Sequence, residues 1–158
     1  MLAVSVPFVP NIVDLAEATR ISRPKIYDYL NYLEDAKILT SLRTPEKGYK
    51  IISKPEKLYL NNPNIAYALS TQSHTGSLRE SFFVNQIKNY MDKRFLDDAI
   101  FVSKVGDFLV DNRYIFEVGG KNKGFGQIKD RENAYIAADD IEIGFGNKIP
   151  LWLFGFLY

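Results

Sequence analysis

The chain has 158 residues, 46% of them hydrophobic and 14% aromatic, with a formal net charge of +1. That length holds one ordinary domain or two small ones, and that apolar content excludes a disordered polyelectrolyte. The near-neutral charge gives no global field for a polyanion, and the absence of cysteine excludes disulfides, zinc–thiolate centres and thiol nucleophiles, which suits a cytoplasmic setting.

The charge is unevenly divided. Residues 1–60 carry nine Lys/Arg against seven Asp/Glu, and residues 61–158 carry eleven against twelve. Residues 40–57 hold five basic and two acidic side chains, a patch compatible with phosphate contact, although a solvated hairpin has the same composition. The first ten residues are apolar, lack a basic flank and contain Pro7 and Pro10, so they do not read as a leader and are too short to span a bilayer. They read as a helix entered partway, as in a chain cut from something longer, and residues 1–9 are expected to start as helix.

Taken in order, Asn11 is a helix cap for Ile12, Leu15, Ala16 and Thr19 on one side. Ser22 is a second cap, with Pro24 in the first turn, where its missing N–H costs nothing. The helix that follows sets Ile26, Tyr29, Leu30 and Leu33 on one apolar stripe and turns Arg23, Lys25, Tyr27, Asp28, Asn31 and Tyr32 outward. Two helices on a tight turn predict a helix–turn–helix. A wing is expected next: strands at 38–43 and 49–53 around a turn at 45–48, then a strand at 57–60. Residues 1–60 thus read as a winged helix–turn–helix, 61–77 as a polar linker and 78–158 as a small mixed α/β unit, an α+β protein throughout. The second unit is expected to run helix 78–94, strands 100–104, 107–110 and 114–118, a Gly/Lys-rich loop 119–126, helix 127–137, and strands 141–143 and 150–158.

Two groups of residues could carry chemistry. Arg23, Lys25, Tyr27, Asn31 and Tyr32 on the second helix, with Arg43, Lys47 and Lys50 on the wing, are types that contact phosphates and base edges. Winged helices also serve as protein-interaction modules, and the basic excess is small for DNA. The second group is Glu80, Asp107, Glu117 and Lys121. Glu80 shares the stripe of Phe83, Val84 and Ile87, a costly place for a carboxylate unless it is paired or metal-bound. A three-residue loop Asp111-Asn112-Arg113 would pair Val110 with Tyr114 and Phe108 with Phe116, setting Asp107 opposite Glu117; a two-residue loop would throw the two acids to opposite faces. Three such carboxylates make an oxygen cage for Mg²⁺ or Mn²⁺, which could activate water against a phosphodiester.

Pro63-Asn-Ile-Ala-Tyr67, Leu78-Arg-Glu-Ser-Phe-Phe-Val-Asn-Gln86, Gly106-Asp-Phe-Leu-Val-Asp111, Phe116-Glu-Val-Gly119 and the Pro150-Leu-Trp-Leu-Phe-Gly-Phe156 ending resemble the C-terminal half of a bacterial and archaeal AAA-type ATPase family. The resemblance spans essentially the whole chain and implies a winged helix followed by a restriction-endonuclease-like domain of unknown function, with a preceding ATPase domain as partner. It implies that Glu80 is the helix acid, Asp107 the strand acid and Glu117 the acid of a Glu-x-Lys element. The chain departs from that element at Gly119, where an active nuclease carries lysine; Lys121 lies two residues on, on the same face if the strand continues. The resemblance also implies a substrate-side glutamine and tyrosine, here Gln127 and Tyr135, though core packing explains Tyr135 as well. The chain contains no P-loop. His74 reads as solvated, residues 139–142 as an acidic strand start, and the aromatic residues from 145 to 158 as core or interface.

Three readings follow. The chain is a DNA-binding or regulatory fragment of an AAA-type ATPase whose nuclease-like site has lost its lysine and its activity; or it is a Mg²⁺-dependent DNA endonuclease; or it is a protein-interaction module that touches no nucleic acid. None requires a membrane.

Overall fold

The computed structural model describes residues 9–45, 54–69, 74–94 and 100–157. The chain is mixed α+β, built of helices and two small sheets. All but Val9 of the helix expected over residues 1–9, the strand expected at 49–53, most of the 45–48 turn, Lys47 and Lys50 lie outside the described residues, and Val9 itself is not helical. Among those described, no helix is long and apolar enough to cross a membrane.

Helix α1, Ile12–Thr19, starts where Asn11 Oδ1 accepts the Val13 N–H at 3.1 Å, and it ends at Arg20 in the left-handed region. Helix α2, Arg23–Asp35, follows Ser22 with its proline in the first turn and buries Ile26 and Leu30. Its apolar arc is turned from the expected stripe: Tyr27 packs half-buried against the core, whereas Tyr29 is exposed. At 100° per residue these tyrosines flank Ile26 and Leu30 on opposite sides, and α1 and strand β1 both pack on this helix.

Strand β1, Leu39–Leu42, pairs antiparallel with β2, Lys57–Leu60, in the register Leu39↔Leu60 to Leu42↔Lys57. Both faces of this ribbon are covered. Leu39, Leu58 and Leu60 join Ile12, Leu15, Ile26 and Leu30 in one core, while Leu42 and Tyr59 enter the core of the second unit. The two-residue strand period sends alternate side chains of β2 into different cores.

The stretch 61–77, expected to be a linker, instead contains α3, Pro63–Leu69, and the first turn of α4, Thr75–Lys93. Asn62 Oδ1 accepts the Asn64 N–H at 2.9 Å with Pro63 in the first turn, and Ile65 and Ala66 pack on the first core. Helix α4 buries Phe83, Val84, Ile87 and Met91 against a five-stranded sheet of order β3-β4-β5-β6-β7. Here β3 is Ile100–Val102, β4 Phe108–Val110, β5 Tyr114–Gly119, β6 Ala134–Ala138 and β7 Lys148–Pro150. The first two pairings are antiparallel and the last two parallel.

The β4–β5 register is the one expected: Phe108 faces Phe116 and Val110 faces Tyr114 across the loop 111–113. Asp111 and Asn112 take φ of 53° and 49°, which these short polar side chains tolerate. Three expectations beyond this hairpin are corrected. No helix covers 127–137: residues 127–130 form turns, and Ala134–Ala138 is the strand β6, parallel to β5. Its residues alternate between two apolar layers, Ala134, Ile136 and Ala138 on one and Tyr135 and Ala137 on the other, so burial on both faces overrides a helix-favouring composition. Residues 141–143 are not a strand, and Ile143 is exposed. Only Lys148–Pro150 of the final segment is strand; Leu151–Phe156 is a 3₁₀ helix that sends Leu151 and Phe154 into the core.

Candidate active site

The β4–β5 hairpin fixes two carboxylates. Asp107 stands just before β4, after Gly106 at φ +78°, where a Cβ would meet Ile115 Cγ2 at 3.0 Å and the Phe116 carbonyl at 3.1 Å. This glycine lets the chain enter the hairpin against β5, and Asp107 then extends the ladder. Its N–H donates to the Phe116 carbonyl at 2.9 Å, and its Oδ2 accepts the Val118 N–H at 2.7 Å. Glu117, on the facing strand, is fully buried. Burial pushes the Asp107 carboxyl up, the Val118 N–H pulls it down and the neighbouring Glu117 charge pushes it up, leaving it above the ordinary carboxylate range.

The lysine of this site is Lys123, which sequence reasoning missed. Lys123 Nζ forms an ion pair with Glu117 Oε2, and beyond that pair neither Glu117 oxygen has a hydrogen-bond partner. The sequence pointed instead to Lys121, on the condition that the strand continued. It does not: β5 ends at Gly119, and the turn closed by the Lys123 N–H on the Gly120 carbonyl (2.9 Å) reverses the chain. Lys121 is left exposed, its backbone carbonyl accepting from Lys148 Nζ at 2.7 Å. Lys123 folds back over Gly119, so that a Cβ built on Gly119 would lie 2.9 Å from each of Lys123 Cβ, Cγ and Cδ. The lysine stem therefore runs through the space that a side chain at position 119 would fill. Burial lowers the Lys123 pKa, but the Glu117 hydrogen bond and the fields of Asp107, Glu117 and Glu80 more than offset it, and the net direction is up.

Glu80, from the second turn of α4, completes the group but is held from another side. Its Oε2 accepts from Lys57 Nζ at 2.6 Å and from the Tyr59 hydroxyl at 2.9 Å. Lys57 and Tyr59 are alternate residues of β2, and both were missed by sequence reasoning, which saw β2 only as part of a wing. Burial, then the Glu80 charge and hydrogen bond, push the Tyr59 hydroxyl far above its usual value. The fields of Asp107, Glu117 and Glu80 all reach Lys123, and of the three Glu117 is the one in contact with it. Among the described residues, however, no three His, Cys, Asp or Glu side chains are placed to hold one metal ion. Glu80 is engaged by Lys57 and Tyr59, and the oxygen pair facing the hairpin is Asp107 and Glu117.

The remaining predicted residues scatter. Arg23 and Lys25 are exposed on α2, Lys25 Nζ standing 3.6 Å from Asp28 Oδ2, while Tyr27 and Asn31 are half-buried. Arg43 carries a buried, unpartnered Nε at the end of β1. Gln127 is exposed in a turn, and Tyr135 stacks on Phe116 at 5.6 Å, so the two share no helix face and Tyr135 is core. The acidic run at 139–142 binds a guanidinium: Asp139 Oδ2 and Asp140 Oδ2 accept from Arg79 at 2.8 and 2.9 Å, and the Arg79 hydrogen bond holds Asp139 below its usual pKa.

No family model, no curated protein and no solved structure matches this chain.

Proposed function

We propose that the chain is a nucleic-acid-directed module: a winged-helix-type unit that engages a duplex, joined to a restriction-endonuclease-like unit whose site is built for divalent-cation-dependent phosphodiester hydrolysis. The observation that carries this reading is Lys123. Its stem fills the place of the side chain Gly119 lacks and delivers an ammonium to Glu117. A lysine absent from the local Glu-x-Lys spacing is thereby supplied from four residues on, and the main argument for a dead site falls away.

Asp107 and Glu117 suit a hard cation. Mg²⁺ is commonly bound through one or two carboxylates, with waters and substrate phosphate oxygens filling the other positions, and Glu117 keeps a buried oxygen without a hydrogen-bond partner. A bound cation would supply an activated water and neutralise charge developing on the phosphodiester. Lys123, its pKa raised, stays protonated; it would stabilise charge on a non-bridging phosphate oxygen rather than remove a proton. Arg23 and Lys25, exposed on α2, would meet the backbone of the duplex. A preceding ATPase domain as partner belongs to the same reading.

Incubation of the full chain with supercoiled DNA and Mg²⁺ or Mn²⁺ is expected to give nicked product. Glu117→Gln and Lys123→Met should each reduce the rate about 100-fold or more, and the exchange Gly119→Lys with Lys123→Ala should restore much of it. A folded chain that binds DNA but never cuts it would return the molecule to the regulatory reading. One that also fails to bind duplex at low salt would make it a protein-interaction module.

A further inference from the structure

We infer that Lys57 and Tyr59 form a lock, carried on the first unit, that withholds Glu80 from the carboxylate site until a cation or a phosphate competes for it. The inference rests on the proposed function above and adds a means of regulation to the same site.

Glu80 has two neighbourhoods. On one side its charge reaches Lys123, while Asp107 acts on the same Tyr59 hydroxyl that holds Glu80; on the other Lys57 Nζ and the Tyr59 hydroxyl both converge on its Oε2, at 2.6 and 2.9 Å. The ammonium of Lys57 also stands 5.4 Å over the Tyr59 ring, so ring and carboxylate hold it from two directions. Tyr59 is fully buried between the two units and cannot move far, whereas the Lys57 side chain keeps about a quarter of its surface exposed. The rigid member orients the carboxylate and the accessible member neutralises it. Lys57 closes the basic stretch 40–57, and its strand is the one that stretch feeds. A phosphate reaching the site from that side offers Lys57 a second anion, and Lys57 leaving Glu80 would free a third carboxylate beside Asp107 and Glu117. Cation affinity and nucleic-acid contact would then rise together, as any two ligands that favour one arrangement must.

The test is Mn²⁺ binding to the full chain without nucleic acid, read by calorimetry, in wild type, Lys57→Gln, Lys57→Arg, Tyr59→Phe and Glu80→Gln. Lys57→Gln should tighten Mn²⁺ binding about five-fold or more, Lys57→Arg should stay near wild type, and Tyr59→Phe should give a smaller gain. Adding Glu80→Gln to Lys57→Gln should erase the gain. If Lys57→Gln is folded, by its melting curve, and binds Mn²⁺ no better than wild type, the lock is overturned, whether or not wild type cleaves DNA. If Lys57→Gln unfolds, Tyr59→Phe decides on the same criterion. Absence of Mn²⁺ binding in every variant overturns the lock and the cation site together.

Discussion

Lys123 reaches Glu117 because position 119 has no side chain to stop it, and that dependence makes a prediction. Gly119→Ala would place a methyl 2.9 Å from three carbons of the Lys123 stem, forcing the lysine aside and leaving a fully buried carboxylate without its cation. Breaking a buried pair is costly, but Lys123 is about one-third exposed, so the expected loss is about 1–2 kcal/mol in a denaturant melt. Asp107 supplies the opposite case. Its folded pKa is raised, so ionisation favours the unfolded chain: the cost is absent below the unfolded value, grows between the two values and is complete above the folded one. Asp107→Asn, which keeps an oxygen for the Val118 N–H, should therefore stabilise the protein at neutral pH by about 1 kcal/mol or less, the carboxyl being partly hydrated. The gain should vanish as the pH falls to the ordinary carboxylate range; a melt series across pH in which the variant is never the more stable contradicts this. Asp107 and Glu117 were legible in the sequence because a two-residue period and one loop length place them. Lys123 was not, since nothing local announces that β5 stops at Gly119 and the chain doubles back.

Among the elements, those legible in the sequence are the ones whose signals are local. Asn11 with α1, the first-turn Pro24 with α2 and the Phe108–Phe116 hairpin follow from a cap, a proline and a loop length, while Ser22 stands at the start of α2 without the side-chain cap bond expected of it. Asn11→Ala should cost about 1 kcal/mol through the lost acceptor for the Val13 N–H. Strand β6 shows the other limit. Ala134–Ala138 is a strand because β5 on one side and β7 on the other offer it ladders and two apolar layers bury its faces. None of that is written in its own five residues. The distinction can be measured, because residue 138 would lie just beyond the expected helix but is fully buried as strand. Ala138→Leu should overpack and cost about 1–3 kcal/mol, whereas a melt shifted by less than measurement error would favour a surface position. The pairing of α3 with the first core escaped for a different reason: its cap grammar, Asn62 then Pro63, is that of α2, but a polar setting made it look like a connector.

At the scale of the molecule, the boundary drawn from sequence at residues 60 and 78 runs beside a structure that both units own. The β1–β2 ribbon gives Leu39, Leu58 and Leu60 to one core and Leu42 and Tyr59 to the other. Around it lies a polar seam: the Val102 N–H donates to the Arg43 carbonyl at 2.9 Å, Asn61 Nδ2 to Thr40 Oγ1 at 3.0 Å, and Asn85, buried on α4, to the Asn61 carbonyl at 2.5 Å. A sequence read in segments treats a ribbon as belonging to one side, because alternation alone does not say what covers the second face. The energetic consequence is coupling. Leu42→Ala, at a side chain 1% exposed, should cost about 2–5 kcal/mol and lower the stability of the second unit although the residue lies in the first. A chain restricted to residues 74–158 would lack Leu42, Tyr59 and the Lys57 counter-ion of Glu80 at once, exposing Phe108 where Tyr59 packs. It is expected to show no cooperative thermal transition, while the full chain unfolds in one step with amide protection lost together in α2 and α4. Two separate transitions in the full chain, the upper one matching that of the isolated fragment, would mean that the ribbon joins the two cores without coupling them.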